Sequence, residues 1–498
     1  MGPDGTKAVD TQLPDRIREF FGFHRFRPGQ VEAVQSALKG RDTLVVMPTG
    51  SGKSFCFQLT ALTLDGITVV VSPLISLMKD QVDHLLENGV WAVGLNSTLT
   101  AAQRVTAEQD IANGKAIIVY TTPERLADPA CRAMLRARKV ELFVVDEAHC
   151  VSQWGHDFRP DYLGLAEAVD DLGRPPIMAL TATATPDVIE DILAQLRMPD
   201  AEVVHTGFYR PNLDLQVVEA HGEAQKRALL LRHLEKTEGT GIIYSATIKA
   251  VEELTEFLQG AGLAADSYHG RLSPKRRAAA QDRFMADEFK ALVATNAFGL
   301  GIDKHDIRFV LHYHLPGTTE EFYQEFGRAG RDGDRACGAL LYDPEDRKLL
   351  RFFQGKRYPD ADDLINAHHT LKLLHDRPEP PTLPEIQAIS PLSATRMKVC
   401  LSLFTARGVV RYETGGFYRL LRPEMGRDEL NWVGQSYRER QERDLRKQQD
   451  MVGYAEGNGC RWQTLLTYFG GEGLPGEHCG HCDHCRRFAP AGESHADR

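Results

Sequence analysis

The sequence predicts an α/β protein in which two parallel-sheet domains follow one another and two small modules complete the chain. Short apolar runs that end in small polar or acidic residues alternate with helical patterns, which is typical of parallel sheets covered by helices. The runs come in two successive sets, and a glycine-rich turn between a strand and a helix occurs only in the first. A cysteine cluster near the C-terminus predicts a separate metal-binding module.

Length and charge bound the possible functions. A chain of 498 residues is too long for a single core and predicts about three or four domains. Because the net charge is -10, any contact with nucleic acid must use local basic patches and not the overall field. No apolar stretch approaches the roughly 20 residues of a membrane span, and the N-terminus has no apolar signal region. We therefore expect a protein of a bacterial-type cytosol or nucleoid, without a membrane partner.

The glycine-rich turn lies at residues 47–54, MPTGSGKS, between an apolar strand and a helical pattern. Gly50 and Gly52 let the backbone N–H groups converge, and the following helix adds its positive N-terminal end. Met47 stands where the Walker A pattern usually has its first glycine, yet Lys53 suits the outer phosphates of a nucleotide and Ser54 suits a magnesium ion. The predicted ATP-binding residues of this turn are Thr49, Gly50, Ser51, Gly52, Lys53 and Ser54. A merely structural glycine turn is the alternative.

The segment ahead of this turn, FGFHRFRPGQ at residues 21–30, suits an adenine ring. The amide of Gln30 can donate to and accept from the polar edge of the base, while Phe23 or Arg27 covers a ring face. A packed helix end is the alternative interpretation.

Acidic residues end a later strand of the first set, in LFVVDEAH at residues 142–149. Ligands of open parallel sheets collect at the carboxyl ends of the strands, so Asp146 and Glu147 are expected to face the phosphate loop. Asp146 would help Ser54 to hold Mg²⁺, and Glu147 would orient or deprotonate the attacking water. A solvated acidic pair is the alternative. Residues 178–185 are expected to close the first sheet.

The second set has no phosphate loop of its own. It places strands at residues 240–245, 291–295 and 309–312. It also contains QEFGRAGR at residues 324–331, where Arg328 and Arg331 are three residues apart. This spacing predicts that both arginines share one helical face and bind phosphate oxygens when the two domains close. A surface salt-bridge helix is the alternative.

The motifs resemble, in their order along the chain, those of superfamily 2 helicases: MPTGSGKS, VSPLISLMKDQ, TTPERL, DEAH, TATAT, ATNAFGLGID and QEFGRAGR. The segment FGFHRFRPGQ and the run CVSQWGHDFR at residues 150–159 resemble the RecQ family in particular. The resemblance covers about residues 13–345 and implies an ATP-driven 3′-to-5′ DNA helicase with two RecA-like domains. It implies that Gln30 reads adenine and that the catalytic residues are Lys53, Asp146, Glu147, Arg328 and Arg331.

The run that follows DEAH carries aromatic residues beside polar and cationic ones. Trp154 and Phe158 can stack on unpaired bases, a contact worth about 1–3 kcal/mol for each base. In the RecQ family this aromatic-rich loop couples DNA binding to hydrolysis. The predicted DNA-binding and coupling residues are Gln153, Trp154, His156, Phe158 and Arg159. Trp154 as a filler of the core is the alternative.

After residue 343 the chain changes character. Residues 378–382 predict a linker, residues 383–389 and 394–407 predict helices, and residues 409–421 predict a two-stranded hairpin. Two helices and a hairpin suggest a winged helix, which binds either DNA or another protein. Its candidate DNA contacts are Arg396, Lys398, Arg411 and Arg419.

A charged helical pattern at residues 427–454 leads to the cysteine cluster. Four thiolates with two CxxC steps suit tetrahedral Zn²⁺ without an open catalytic position. The predicted zinc ligands are Cys460, Cys479, Cys482 and Cys485, with His478, His481 and His484 as alternates or as hydrogen-bond partners. In the RecQ family such a module normally follows the helicase core directly, whereas here it follows the winged helix.

These patterns divide the chain into five expected parts. They are a RecA-like ATP-binding domain at 1–205, a second RecA-like domain at 206–345, connecting helices with a winged helix at 346–425, a helical zinc module at 426–488, and a disordered tail at 489–498. Because the two RecA-like domains have separate cores, we expect the loss of zinc to unfold the chain from about residue 455 and to spare basal ATP hydrolysis.

The expected function is that of an ATP-dependent 3′-to-5′ DNA helicase that translocates on single-stranded DNA and unwinds duplex DNA in repair or recombination. Its expected ligands are ATP with Mg²⁺, structural Zn²⁺, and single-stranded and partly duplex DNA. One alternative is a translocase or RNA helicase that does not unwind DNA. Another is a DNA-binding scaffold with a vestigial ATPase.

Overall fold

A computed structural model describes residues 26–487, apart from residues 153, 156, 300, 301, 303, 358, 414, 415 and 472. Phe23 and the tail expected at 489–498 lie outside the described residues. The chain forms two compact units: unit 1 comprises Met1–Tyr342 and Tyr454–Arg498, and unit 2 comprises Asp343–Gly453. Within the described residues, every helix is too short or too polar to cross a membrane. The domain limits expected from the sequence stay predictions.

The first part of unit 1 contains a seven-stranded sheet. Its strands are β1 (Thr43–Val46), β2 (Ile67–Val71), β3 (Ala92–Leu95), β4 (Ile118–Thr121), β5 (Val140–Val145), β6 (Ile177–Thr181) and β7 (Glu202–His205). They pair in parallel in the order β3-β4-β2-β5-β6-β1-β7. Residues 178–185 therefore do not close the sheet, because β6 lies between β5 and β1 while β7 forms the edge.

Helices cover this sheet and account for its apolar strands. They are α1 (Gln30–Leu38), α2 (Lys53–Ala61), α3 (Ile75–Glu87), α4 (Ala101–Ala112), α5 (Pro123–Leu126), α6 (Pro129–Arg136), α7 (Leu165–Asp171) and α8 (Pro186–Gln195), with 3-10 turns at Ala148–Cys150 and Pro160–Gly164. Strands that are buried on both faces carry continuous apolar runs, such as the ITVVV of β2. Those runs are what made the parallel sheet predictable.

The second part of unit 1 contains a six-stranded parallel sheet in the order β10-β11-β9-β12-β13-β8. Its strands are β8 (Leu213–Glu219), β9 (Gly241–Tyr244), β10 (Ala265–Tyr268), β11 (Ala291–Ala294), β12 (Phe309–His312) and β13 (Ala336–Tyr342). Its helices are α9 (Glu223–Lys236), α10 (Ile248–Gly260), α11 (Pro274–Met285) and α12 (Thr319–Phe326). Together with the first sheet, it confirms the predicted α/β class with two parallel-sheet domains.

Unit 2 contains helices and one hairpin. Its elements are α13 (Asp346–Arg357), α14 (Ala361–Leu373), α15 (Leu383–Ile389), α16 (Ala394–Ala406), β14 (Val410–Glu413), β15 (Phe417–Leu420), α17 (Arg427–Val433) and most of α18 (Gln435–Glu456). The hairpin strands are antiparallel, and Thr382 ahead of α15 bridges to Phe417. Helices followed by a hairpin with this bridge form the predicted winged-helix-like module. Gly434 divides the charged region, which was expected to be one helix, into α17 and α18.

Two of the four cations proposed for DNA contact in unit 2 take part in ion pairs within the fold. Arg396 pairs with the buried Asp363 at 2.7 Å, and Arg419 pairs with Glu413 on the hairpin at 2.6 Å. The charges of Arg396 and Arg419 are therefore already balanced within unit 2.

The chain returns to unit 1 at Tyr454 and adds α19 (Arg461–Tyr468) and α20 (Asp483–Arg487). The Trp462 Nε1 atom donates a hydrogen bond to the Leu213 carbonyl of β8 at 3.0 Å. The zinc module, residues 454–487, therefore packs directly on the second sheet. Along the sequence, unit 2 separates the module from that sheet.

Candidate active site and zinc centre

The phosphate loop connects β1 to α2 and is curled by two glycines. Gly50 has a φ of 80° and Gly52 a φ of 81°, in the left-handed region that favours glycine. The Lys53 Nζ atom donates to the carbonyl oxygens of Met47 (3.1 Å) and Pro48 (3.2 Å) inside the curl. Burial lowers the pKa of Lys53. The loop therefore holds the half-buried Lys53 at the N-terminal end of a helix, which suits a phosphate.

Residues ahead of α1 brace this loop. The Gln30 Nε2 atom donates to the carbonyl oxygens of Ser51 (3.1 Å) and Gly52 (3.2 Å), and its Oε1 atom accepts from the Arg27 N–H (2.8 Å). The Arg27 guanidinium also donates to the Gly50 carbonyl. Both ends of the Gln30 amide are therefore engaged within the protein in this structure, and its contact with adenine stays a prediction.

The acidic pair follows β5 and approaches the same loop. The Asp146 N–H donates to the Val71 carbonyl of β2 (2.9 Å), which extends the strand pairing by one residue. Glu147 has a φ of 48°, a strained value for a residue with a side chain. Burial, and then the neighbouring Glu147, raise the pKa of Asp146 to about 7, while Lys53 opposes the shift. The two neighbouring carboxylates repel each other, and a bound divalent cation would relieve that repulsion.

His149 connects the acidic pair to the next strand, and sequence reasoning missed it. Its Nδ1 atom lies 3.4 Å from Glu147 Oε2 and 3.1 Å from the Thr181 hydroxyl at the end of β6. The Thr181 hydroxyl also accepts from the Thr183 N–H at 3.2 Å. Polar contacts thus connect Glu147 through His149 to the TATAT segment, residues 181–185. In the sequence, only the hydroxyl residues of that segment indicated such a connection.

The two arginines of the second domain lie in the arginine turn, residues 327–331, and not on a helix. The helix α12 ends at Phe326, so the expectation of a shared helical face is wrong. The glycines at 327 and 330 disfavour a further helical turn, and Gly330 has a φ of 57°.

Only one of these arginines lies against the phosphate loop. A Cβ atom placed on Gly50 would come within 2.7 Å of Arg331 Cγ, so the Arg331 side chain packs on the loop. The Arg328 guanidinium donates to the Gly299 carbonyl within the second domain. The Arg331 guanidinium likewise donates to the Ile302 carbonyl of that domain at 2.7 Å. A Cβ atom on Gly327 would lie 3.5 Å from Thr49 Cβ, which is a second contact between the arginine turn and the loop.

The aromatic loop, residues 152–159, holds the predicted DNA-coupling residues. Trp154 and Phe158 are half-buried in it, while Gln153 and His156 lie outside the described residues. The Arg159 guanidinium pairs with Asp157 (3.0 Å) and donates to the Pro73 carbonyl after β2 (3.0 Å). Arg159 therefore also has a structural role, because it fastens the loop to the neighbouring strand end.

The aromatic loop is packed directly on the acidic segment. A Cβ atom on Gly155 would lie 2.2 Å from the His149 carbonyl oxygen, so glycine is required there. The Arg159 N–H donates to the Cys150 carbonyl at 3.0 Å. A displacement of this loop therefore reaches His149, which contacts Glu147.

The four predicted zinc ligands come together in one cluster. The Sγ atoms of Cys460, Cys479, Cys482 and Cys485 all lie within 4.8 Å of one another. The backbone N–H groups of Cys479, Cys482 and Cys485 donate to the sulfurs of Cys460, Cys479 and Cys482 at 3.2–3.4 Å. This closed sulfur set fits a structural Zn²⁺.

Aromatic contacts hold the zinc module on the second domain. The Phe469 ring stacks on Phe208 with centroids 4.5 Å apart, and Trp462 meets Tyr209 edge-on at 5.2 Å. The His481 Nε2 atom lies 3.0 Å from the Tyr209 hydroxyl. His481, predicted as an alternate or a partner of the ligands, thus serves as an anchor for the module.

Three family models match the chain. They are DEAD/DEAH box helicase over residues 27–192, helicase conserved C-terminal domain over residues 225–333, and RecQ zinc-binding over residues 424–486. The first two fall on the two sheet domains, and the third includes the cysteine cluster.

A Bacillus subtilis protein named probable ATP-dependent DNA helicase RecS is 36% identical over 478 residues, which are 95% of this chain and 92% of that protein. The chain belongs to the RecQ family of superfamily 2 helicases. The ATP-dependent DNA helicase RecQ of B. subtilis is 44% identical over 338 residues, which are 68% of this chain and 57% of that protein. This RecQ-family member is an ATP-dependent DNA helicase. Its matches cover nearly the whole length of B. subtilis RecS and a little over half of the length of B. subtilis RecQ.

Among solved structures, Saccharomyces cerevisiae Dbp5 bound to RNA and ADP BeF3 matches this RecQ-family chain with a TM-score of 0.55. The identity is 20%, and the match covers 70% of this chain and 90% of Dbp5. At this identity the likeness shows the fold alone. The family resemblance, the two RecA-like domains and the zinc-binding module expected from the sequence are confirmed.

Proposed function

We propose that this RecQ-family helicase hydrolyses Mg²⁺-bound ATP on single-stranded DNA, moves 3′ to 5′, and separates duplex DNA during repair or recombination. The observation that carries the proposal is the meeting of Lys53, the acidic pair and Arg331 at one phosphate loop, with the aromatic loop packed on the acidic segment. Free thiolates for zinc require a reducing compartment, which supports the cytosol as its location.

Each group at the phosphate loop has a distinct role in this proposal. Lys53 and the loop N–H groups bind the outer phosphates, and Glu147 orients or deprotonates the attacking water. Ser54 and Asp146 would hold Mg²⁺, which would supply positive charge at the phosphate oxygens. Arg331 stabilises charge on the γ-phosphate. We place Arg331 and not Arg328 at the γ-phosphate, because the Arg331 side chain packs on Gly50 of the phosphate loop.

The DNA contact in this proposal is made by the aromatic loop. Bases of a single strand stack on Trp154 and Phe158, which is a sequence-tolerant contact. Because Gly155 packs on the His149 carbonyl, ordering of the loop by DNA changes the surroundings of Glu147. DNA binding would thereby speed hydrolysis without a contact between DNA and nucleotide.

Strand displacement on tailed substrates tests the proposed activity. We expect ATP hydrolysis to rise with single-stranded DNA more than with RNA or blunt duplex, and only duplexes with a 3′ tail to be unwound. Equal stimulation by RNA would favour an RNA helicase, and stimulation without unwinding would favour a translocase. An absence of ATP hydrolysis would favour a DNA-binding scaffold with a vestigial ATPase.

Replacing Trp154 with Ala is expected to weaken the stimulation of ATP hydrolysis by DNA about tenfold or more, because one base-stacking contact is worth about 1–3 kcal/mol. Basal hydrolysis should stay within about twofold, since Trp154 faces the strand and not the nucleotide. Steady-state ATPase assays with and without a DNA oligonucleotide measure both rates.

Trp91→Ala is the matched control for this substitution. Trp91 is also a partly exposed tryptophan of the first domain, but it packs under Lys115, beside Asp110. Neither rate should change in this control. If Trp154→Ala lowered basal and stimulated rates equally, Trp154 would be a structural residue.

A further inference from the structure

One side chain holds most of the backbone of the arginine turn. The Arg210 guanidinium donates to the carbonyl oxygens of Gly327 (2.6 Å), Ala329 (2.9 Å) and Gly330 (2.6 Å). Asn212 adds a hydrogen bond to the Gly330 carbonyl at 2.9 Å. The turn directly before Arg331 is therefore shaped by two residues from a distant part of the chain.

The chemistry of these contacts suits a fixed orientation. The three acceptor carbonyls follow the end of α12 at Phe326, so they have no partners within the helix. A guanidinium is a planar fork of donors, so it can hold several of them in one geometry, which the single ammonium of lysine cannot do. The segment that carries Arg210, residues 206–212, connects β7 of the first sheet to β8 of the second. It matched no motif in the sequence.

The zinc module supports the same segment. Phe208 and Tyr209 directly precede Arg210, and they pack against Phe469 and Trp462 of the module. The Tyr323 hydroxyl of α12 donates to the Phe208 carbonyl at 2.8 Å. The segment is thus held on one side by the zinc module and on the other by the helix that leads into the arginine turn.

We propose that Arg210 is a positioning residue for ATP hydrolysis, which holds the arginine turn so that Arg331 lies against the phosphate loop. This inference rests on the proposed role of Arg331 at the γ-phosphate. Because the hydrogen bonds of Arg210 go to the backbone of the arginine turn, its loss should slow turnover without weakening ATP binding.

Steady-state kinetics of Arg210→Ala and Arg210→Lys test the proposal. We expect Arg210→Ala to lower kcat about 100-fold, the loss that follows from a misplacement of about 1 Å. Arg210→Lys should lower kcat about tenfold, because the charge stays but the fork is lost. The KM for ATP and the Kd of a fluorescent ATP analogue should both stay within about twofold. A weakened Kd with unchanged kcat would overturn the proposal.

The double variant with Arg331→Ala separates positioning from general stability. If Arg210 acts through Arg331, then Arg210→Ala combined with Arg331→Ala should be no slower than Arg331→Ala alone. Multiplied losses would overturn the proposal. Wild-type turnover in Arg331→Ala would instead remove the role proposed for Arg331 itself, so the two failures are distinguishable.

Arg132→Ala is a matched control. Arg132 also donates to two carbonyls at a helix end, those of Leu126, the last residue of α5, and Ala127, both at 2.9 Å. These carbonyls lie away from the phosphate loop. The control substitution should lower the thermal midpoint and leave kcat within about twofold. Should Arg210→Ala fail to fold, Arg210→Lys with the same double variant decides the question, because an unchanged kcat in it would overturn the proposal.

Discussion

Replacing Glu147 with Gln is expected to lower ATP turnover by about 10²–10⁴-fold while ATP binding is retained, because a general base contributes a factor of that size. Glutamine has the shape of glutamate, so the strained backbone at a φ of 48° is not altered further. The charge of Glu147 is one cause of the raised pKa of Asp146. Removing that charge favours the Asp146 carboxylate, so binding of Mg²⁺-ATP should not weaken.

ATPase assays and titration with a fluorescent ATP analogue measure turnover and binding separately. Lys53→Ala is the informative comparison, since Lys53 is proposed to hold the phosphates themselves. It should lose binding as well as turnover. Wild-type turnover in Glu147→Gln would remove Glu147 from the hydrolytic step.

Replacing Cys482 with Ser is expected to release zinc, to unfold the chain from about residue 455, and to lower basal ATP hydrolysis about tenfold or more. The last expectation reverses the one drawn from the sequence. Three aromatic residues of α12 pack on the zinc module: Phe322 on Tyr454, Tyr323 on Phe469 and Phe326 on Trp462, with centroids 5.0–5.9 Å apart. Because α12 leads into the arginine turn, the module is part of the support for Arg331.

Metal analysis, hydrogen exchange over residues 455–487 and basal ATPase assays measure the three effects. Cys131→Ser is a matched control, since Cys131 is a buried thiol of α6 outside the zinc cluster. It should keep zinc and hydrolyse ATP at the wild-type rate. Unchanged basal hydrolysis in a Cys482→Ser protein without zinc would restore the view that the RecA-like domains act independently of the module.

The fold was predictable at several strands that are buried on both faces, although β13 is also buried and was missed. Strands such as β2 carry continuous apolar runs, and a local pattern suffices to find them. The edge strand β7 was missed because three of its four residues are exposed. The strand β8 was also missed, although its residues alternate between buried and half-buried, which is a strand signal. Part of its cover is the zinc module, which no pattern within β8 could reveal.

The site was predictable where chemistry depends on adjacent residues. The phosphate loop and the acidic pair each occupy one short motif, and the structure brings them together at one place. Arg210 was not predictable, because its partners are backbone carbonyls more than a hundred residues away, and a carbonyl carries no sequence signal. The turn around Arg328 and Arg331 was misjudged because spacing alone does not show where a helix ends.

The return of the chain to unit 1 at Tyr454 affects the order in which the protein can fold during synthesis. Tyr342 is the last residue before unit 2, and Glu456 lies just after unit 2. The Tyr342 hydroxyl donates to Glu456 Oε1 at 2.7 Å, so the chain segments before and after unit 2 are in contact. The ribosome needs about 5–20 s to make residues 343–453. During that time Phe208, Tyr323 and Phe326 are already made, while the aromatic residues that cover them are not. The nascent second domain therefore presents an apolar surface to chaperones and to other chains until the zinc module emerges.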